Sequence, residues 1–271
     1  MRCTVFGTGY LGATHAVGMA ELGHDVIGVD IDPGKIAKLG GGDVPFYEPG
    51  LREMLQRNIS AGRLRFTTDY AEAAEFADVH FLGVGTPQKK GEYAADLRHV
   101  YAVIDALVPQ LRRDAVIIGK STVPVGTAAA LGAHARDLAP DGVTVEVAWN
   151  PEFLREGFAI HDTLHPDRIV LGVQRDSRLA EEAVRDLYAA LLADGVPFLL
   201  TDLQTAVYER IQQLAPGLQQ IRNVQIGNPL PALVVTHQQY GDISNLDELI
   251  ARNRIGNPLF LPAGKDIEVL V

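Results

Sequence analysis

The sequence predicts an α/β fold: a doubly wound parallel sheet, followed by a small C-terminal segment of α+β character. Three observations predict it. Short apolar runs, mostly rich in β-branched residues, alternate with helical stretches from residue 1 to about residue 206. A Gly-x-Gly-x-x-Gly turn, Gly7 to Gly12, joins the first run to the first helical stretch. An acid, Asp30, ends the second run. Strands covered on both faces read as continuous apolar runs, which is the pattern here.

The elements follow in order. Cys3 to Phe6 is the first strand, a helical stretch runs to Gly23, and Val26 to Val29 is the second strand. Gly40-Gly41-Gly42 and Pro45 to Pro49 mark a loop before a helix at Gly50 to Asn58. Further strands are expected at Val79 to Val84, Ala115 to Gly119, Thr144 to Ala148, Ile169 to Val173 and Pro197 to Leu200, with helices at Leu97 to Leu111 and Ser177 to Leu192. After residue 206 the alternation stops and Gln and Asn become frequent, so the chain divides into 1–206 and 207–271. Within the second part, Pro231 to Tyr240 reads as a strand running into polar residues, Leu246 to Arg252 as a short amphipathic helix and Ile267 to Val271 as a last strand. Ile226-Gly227-Asn228-Pro229-Leu230 recurs as Ile255-Gly256-Asn257-Pro258-Leu259, either as a short repeat or as two turn-forming segments.

Each residue of the glycine turn has a physical job. Gly7 permits a tight turn out of the strand, Gly9 lets a pyrophosphate approach the backbone, and Gly12 lets the helix pack closely on the sheet. The helix start then offers unpaired N–H groups and a positive dipole end to phosphate. Asp30 accepts hydrogen bonds from ribose hydroxyls and repels a 2′-phosphate. The predicted architecture is therefore a Rossmann-type unit and the predicted cofactor is NAD rather than NADP. Lys35 either covers the adenine side or faces solvent.

Composition sets limits. With 271 residues, 47% hydrophobic and 21% charged, the chain has ordinary globular content. A net charge of −10 argues against a nucleic-acid partner, since phosphate neutralisation needs clustered Lys and Arg. The one cysteine, Cys3, falls in a strand and has no internal disulfide partner, which fits a reducing cytoplasm. No signal peptide and no bilayer-length apolar run are expected.

In an open parallel sheet the ligand lies beyond the C-terminal strand ends. The strand at 79–84 leads into Gly85-Thr86-Pro87, small residues with one hydroxyl. The strand at 115–119 leads into Lys120-Ser121-Thr122-Val123-Pro124. Its two hydroxyls suit a nicotinamide or reacting-carbon contact, or else cap the helix near Gly126. The strand at 144–148 leads into Asn150-Pro151-Glu152-Phe153-Leu154-Arg155-Glu156-Gly157. Glu152 and Glu156 suit water orientation and cofactor contact, Glu152 as a general base if burial raises its pKa, or else both sit near a positive helix start. His161 and His165 share helical spacing, but no third ligand accompanies them, and no metal site is expected.

Together these strings, with Phe46-Tyr47-Glu48-Pro49-Gly50-Leu51, Pro166-Asp167-Arg168-Ile169-Val170 and Thr201 to Ala206, resemble the N-terminal NAD-binding part of the UDP-glucose/GDP-mannose dehydrogenase family, most closely its UDP-glucose 6-dehydrogenase branch. The resemblance covers residues 1–206 in family order. It implies oxidation of the C6 alcohol of a nucleotide sugar, UDP-glucose first, to the acid with two NAD. A cysteine-bound thiohemiacetal and thioester are the intermediates, within nucleotide-sugar metabolism and polysaccharide biosynthesis. Carried over by position, Glu152 helps activate the hydrolytic water and Thr122 positions it. Phe153, Leu154, Arg155 and Glu156 line the sugar site, with Glu156 also near the nicotinamide. Gly7, Gly9, Tyr10, Leu11, Gly12, Asp30, Lys35, Gly85, Thr86 and Thr122 bind NAD.

The resemblance stops after Ala206. The family's Lys and Asn on a central helix are not matched by Val207 to Gln213, and no Gly-rich Cys motif follows, so the chemistry is expected to be incomplete and the family's dimer is in doubt. Residues 207–271 instead resemble phage baseplate or DNA-circulation proteins in Asp247 to Asn253 and Asn257 to Gly264. An NAD-binding module without turnover, joined to such a segment, is the alternative expectation.

Overall fold

A computed structural model of the chain describes residues 1–89, 91, 94–174, 177–202, 221–253, 255–264 and 266–270. It forms two compact units, Met1–Tyr208 and Glu209–Val271. The expected division at 206/207, the string Leu203 to Ala206, the departing residues 207–213 and Val271 lie outside the described residues.

The first unit is an eight-stranded sheet in the order β3-β2-β1-β4-β5-β6-β7-β8. The strands are β1 (Arg2–Phe6), β2 (Asp25–Val29), β3 (Leu64–Thr67), β4 (Val79–Leu82), β5 (Ala115–Gly119), β6 (Val145–Trp149), β7 (Ile169–Val173) and β8 (Phe198–Asp202). The helices are α1 (Tyr10–Glu21), α2 (Pro33–Gly40), α3 (Leu51–Ser60), α4 (Tyr70–Phe76), α5 (Arg98–Leu107), α6 (Thr127–Leu138), α7 (Ala159–Leu164), α8 (Leu179–Leu187) and α9 (Ala189–Ala193). The first six strands are parallel, and their order reverses between β1 and β4, so a crevice opens where the glycine turn leaves β1.

Alternate strand residues feed two cores. Cys3, Val5, Val26, Phe81, Ile118 and Leu171 pack on one face with Val17 of α1 and Val184 of α8. Phe6, Ile27, Leu82, Ile117 and Trp149 pack on the other with Ile104 of α5 and Leu131 of α6. Cys3 is fully buried, and burial pushes its thiol up to about 12.

The last two strands depart from the expected all-parallel order. β7 runs antiparallel to β6, with Trp149 opposite Gly172, and β8 runs parallel to β7. The link between β6 and β7 carries only the six-residue α7, which packs on α1 instead of crossing the sheet. The side-chain fit is close: a Cβ on Gly18 would meet the Thr163 methyl at 2.3 Å. The link therefore stays at the C-terminal end of β6.

In the second unit, β9 (Ile221–Gln225) pairs antiparallel with β10 (Asp266–Leu270), and α10 (Ala232–Tyr240) and α11 (Leu246–Arg252) are the helices among its described residues. The strand expected at Pro231 to Tyr240 is instead helix α10. Ala232, Val235 and Thr236 are buried while Leu233 is exposed, a helical period that overrides the β-branched composition. Gly241, at φ +79°, closes the helix in the left-handed region. The two Ile-Gly-Asn-Pro-Leu strings are not two copies of one unit. One follows a strand and the other a helix, and they share only a buried isoleucine before a turn. Each string bonds to residues just past the other: Leu230 and Leu261 exchange backbone hydrogen bonds, and Ala232 N–H donates to Pro258 O at 2.8 Å.

Candidate functional site

The glycine turn is built as its spacing requires. Gly7 has φ +88°, and a Cβ there would lie 2.8 Å from the Val84 backbone. A Cβ on Gly12 would lie 1.7 Å from the Gly7 carbonyl oxygen, so α1 sits against the turn. At Gly9 nothing lies within 4 Å of where a Cβ would be, so its backbone is open to an approaching group. The first intrahelical bond is Ala13 N–H to Gly9 O, which leaves the N–H groups of Tyr10, Leu11 and Gly12 for a ligand.

Asp30 stands at the end of β2, buried, beside this turn. Its Oδ2 accepts from Thr8 N–H at 2.8 Å and Thr8 Oγ1 at 3.0 Å, and its Oδ1 accepts from Asp32 N–H at 3.1 Å. Lys35 resolves toward this acid, its Nζ 3.4 Å from Oδ2. Burial alone would raise the Asp30 pKa, but these donors outweigh it and hold the carboxyl low. Oδ1 retains acceptor capacity for a hydroxyl. An ionised acid, open backbone and three aligned amides fit an NAD pyrophosphate and ribose, and disfavour a 2′-phosphate.

Across the crevice, Gly85 is exposed and the Thr86 hydroxyl donates to Thr122 O at 2.7 Å. Neither hydroxyl of the Ser121-Thr122 pair caps α6, whose N-cap is Gly126. Ser121 Oγ donates instead to Val84 O at 2.6 Å, tying the β4 and β5 ends together.

A cavity of 390 Å³ lies at the ends of β5 and β6, lined by residues from α1, the 150–155 segment, α7 and the entry to β7. Its polar floor is a network. Lys120 Nζ donates to Asn150 Oδ1 at 2.9 Å, Tyr188 donates to the same oxygen at 3.2 Å, and Asn150 Nδ2 donates to Val170 O at 2.8 Å. Burial lowers the Lys120 ammonium to about 8, although Glu152 opposes the shift. Burial raises the Glu152 carboxyl, although Lys120 opposes that shift. Glu152 Oε2 is buried without a hydrogen-bond partner, so it has unused acceptor capacity inside the cavity. His15 packs edge-on against Phe81, 4.4 Å between centroids, and burial holds it neutral, well below its usual pKa.

The structure brings Glu152, Phe153, Leu154 and Arg155 to this cavity, and leaves Thr122 and Glu156 outside its lining. Arg155 is already engaged: its Nε and Nη2 donate to Asp162 at 3.0 and 2.6 Å. Tyr10 directs its hydroxyl to Glu48 rather than into the cofactor crevice. His161 and His165 line the cavity with rings 5.3 Å apart, and among the described residues no group of three or more His, Cys, Asp or Glu is placed to hold a metal ion. Lys120 and Asn150 lie in the strand-end strings, and a lysine directly after an apolar strand is the sequence signal that marks the first of them. His15 and Tyr188 carry none.

Residues 1–192 match the UDP-glucose/GDP-mannose dehydrogenase family, NAD binding domain. The chain belongs to this family. It is 42% identical over 206 residues to the UDP-glucose 6-dehydrogenase of Rhizobium meliloti, covering 76% of this chain and 47% of that protein. A UDP-glucose dehydrogenase structure from Pyrobaculum islandicum superposes with a TM-score of 0.71 at 40% identity, over 78% of this chain and 48% of that one. A ternary complex of GDP-mannose dehydrogenase from Pseudomonas aeruginosa gives 0.71 at 32% identity, over 80% and 51%. The chain spans about half the length of the curated relatives it matches. As a member of this family the chain has an NAD-binding domain. No helix among the described residues is long and apolar enough to cross a membrane.

Proposed function

We propose that this chain serves NAD-dependent oxidation of the C6 alcohol of a nucleotide sugar, UDP-glucose first, as the cofactor-binding part of an incomplete site. The observation that carries this reading is the unpartnered Glu152 carboxylate in a 390 Å³ cavity beside Lys120. Bound NAD supplies the hydride acceptor. Gly7, Gly9, Tyr10, Leu11, Gly12, Asp30, Lys35, Gly85 and Thr86 would hold it, the turn offering backbone N–H groups and Asp30 its carboxylate.

Glu152 accepts a proton from the alcohol or from water, because a carboxyl raised by burial takes a proton more readily than an exposed one. Phe153, Leu154 and Arg155, which line the cavity, border the sugar, while the water-positioning role of Thr122 and the sugar contact of Glu156, both outside that lining, rest on the family resemblance. Lys120, pinned by Asn150, offsets the charge left when Glu152 is ionised. A covalent second oxidation needs a thiolate. Cys3 does not serve, since it is buried in β1 with its thiol pushed up to about 12. The second reading, an NAD-binding module without turnover joined to a phage-like segment at 207–271, draws from that observation only the lack of an available thiolate.

Adding UDP-glucose and NAD to the purified chain while following NADH absorbance tests the proposal. NAD binding without sustained NADH is expected. Sustained NADH production would show that the residues present suffice for at least the alcohol-to-aldehyde oxidation, which passes one hydride to NAD and needs no thiolate, and would exclude the module reading.

A further inference from the structure

We propose that Glu48 is a positioning residue that couples the glycine turn to the loop carrying Glu152. The inference rests on NAD binding at the turn. Glu48 lies in the Phe46 to Gly50 loop, outside both segments, and its carboxylate is buried. Oε2 accepts from the Tyr10 hydroxyl at 2.6 Å and from Gly157 N–H at 2.9 Å. Oε1 accepts from Ala159 N–H at 2.8 Å. Three donors on one buried carboxylate offset its desolvation and leave it little freedom to move alone. The Phe46 ring, 5.1 Å from the Tyr10 ring, holds the same joint from the apolar side.

The connection has a direction. Tyr10 contributes one of the three amides that face a bound pyrophosphate, so occupancy of the turn fixes the Tyr10 backbone. Its hydroxyl then fixes the Glu48 carboxylate, which fixes Gly157 and Ala159. Those two amides close the segment that begins at Asn150 and contains Glu152 and Glu156. A brace that was merely structural would hold Gly157 and Ala159 equally with and without NAD. A coupling residue makes their order depend on NAD.

Hydrogen exchange followed by mass spectrometry on the full chain, with and without saturating NAD, separates these. NAD should slow exchange in the peptide containing Gly157 and Ala159 by about tenfold, the worth of one charge-assisted hydrogen bond. Glu48→Gln removes the charge at nearly constant size, and Tyr10→Phe removes only the hydroxyl. In both, NAD should still protect the 7–12 peptide and no longer protect the 157–159 peptide. Persistent NAD-dependent protection at 157–159 in either folded variant overturns the coupling, as does wild-type protection confined to 7–12. No protection anywhere in the wild type overturns NAD binding itself, and the coupling with it. Thermal unfolding monitors the fold, and Tyr10→Phe decides the matter if Glu48→Gln does not fold.

Discussion

Lys120 and Glu152 occupy one cavity, and each is shifted by burial in the direction of its neutral form. The consequence for Lys120 is measurable as stability. Its pKa falls from 10.5 unfolded to about 8 folded, so the fold favours the neutral amine. The stability this contributes is present above pH 10.5 and is lost as pH falls through 8. Wild type should therefore gain up to about 3 kcal/mol across that window relative to Lys120→Met. Denaturant unfolding of both proteins at the two ends of the window checks it, and equal slopes would contradict it. The same change should raise the Glu152 titration midpoint further, because the one charge that opposes its burial is gone. Carbon NMR of the side-chain carboxyl reads that shift directly. At Asp30, Asn would remove the charge that repels a 2′-phosphate. Titrations should show NAD binding weakened by about tenfold and the preference for NAD over NADP reduced. An unchanged preference would mean that Asp30 is not the discriminating group.

At the scale of elements, the β1–turn–α1 unit separates two kinds of glycine. A methyl at Gly12 collides with the Gly7 carbonyl at 1.7 Å, whereas a methyl at Gly9 meets nothing within 4 Å. Gly12→Ala should therefore destabilise the fold by about 3 kcal/mol or more. Gly9→Ala should leave the melting temperature unchanged and still weaken NAD binding. Thermal melts paired with NAD titrations distinguish the two, and a destabilised Gly9→Ala would contradict the open geometry. This unit was readable in the sequence because its logic is local: turn, helix start and acid lie within thirty residues. The reversal of β7 was not readable, since apolar runs such as Ile169 to Val173 carry no sign of direction. Helix α10 replaces the expected strand because the strand-like composition of Val234, Val235 and Thr236 is local and yields to helical packing. The decisive cues were Pro231 before the helix and Gly241 after it. Glu48 belongs to the Phe46 to Leu51 string, but its partners Gly157 and Ala159 are 109 and 111 residues away, and only the folded chain brings them together.

Across the whole chain, two compact units have different standing. The first carries the family match, the glycine turn, Asp30 and the Glu152 cavity. The second has its own small core, built on Ile226, Val235, Leu249, Ile255, Leu261 and Ile267. The glycine turn and Asp30 announce the cofactor, and the strand-end strings announce the family. The cavity floor assembled from Lys120, Asn150 and Tyr188 needed three elements to meet, and sequence spacing alone does not express that. The most direct test of the central claim is calorimetric titration of the full chain with NAD, with Gly9→Ala as comparison. Saturable binding at one site per chain, weakened in Gly9→Ala, is the predicted result. Absence of binding to the folded wild-type chain, or equal affinity in the variant, would contradict it.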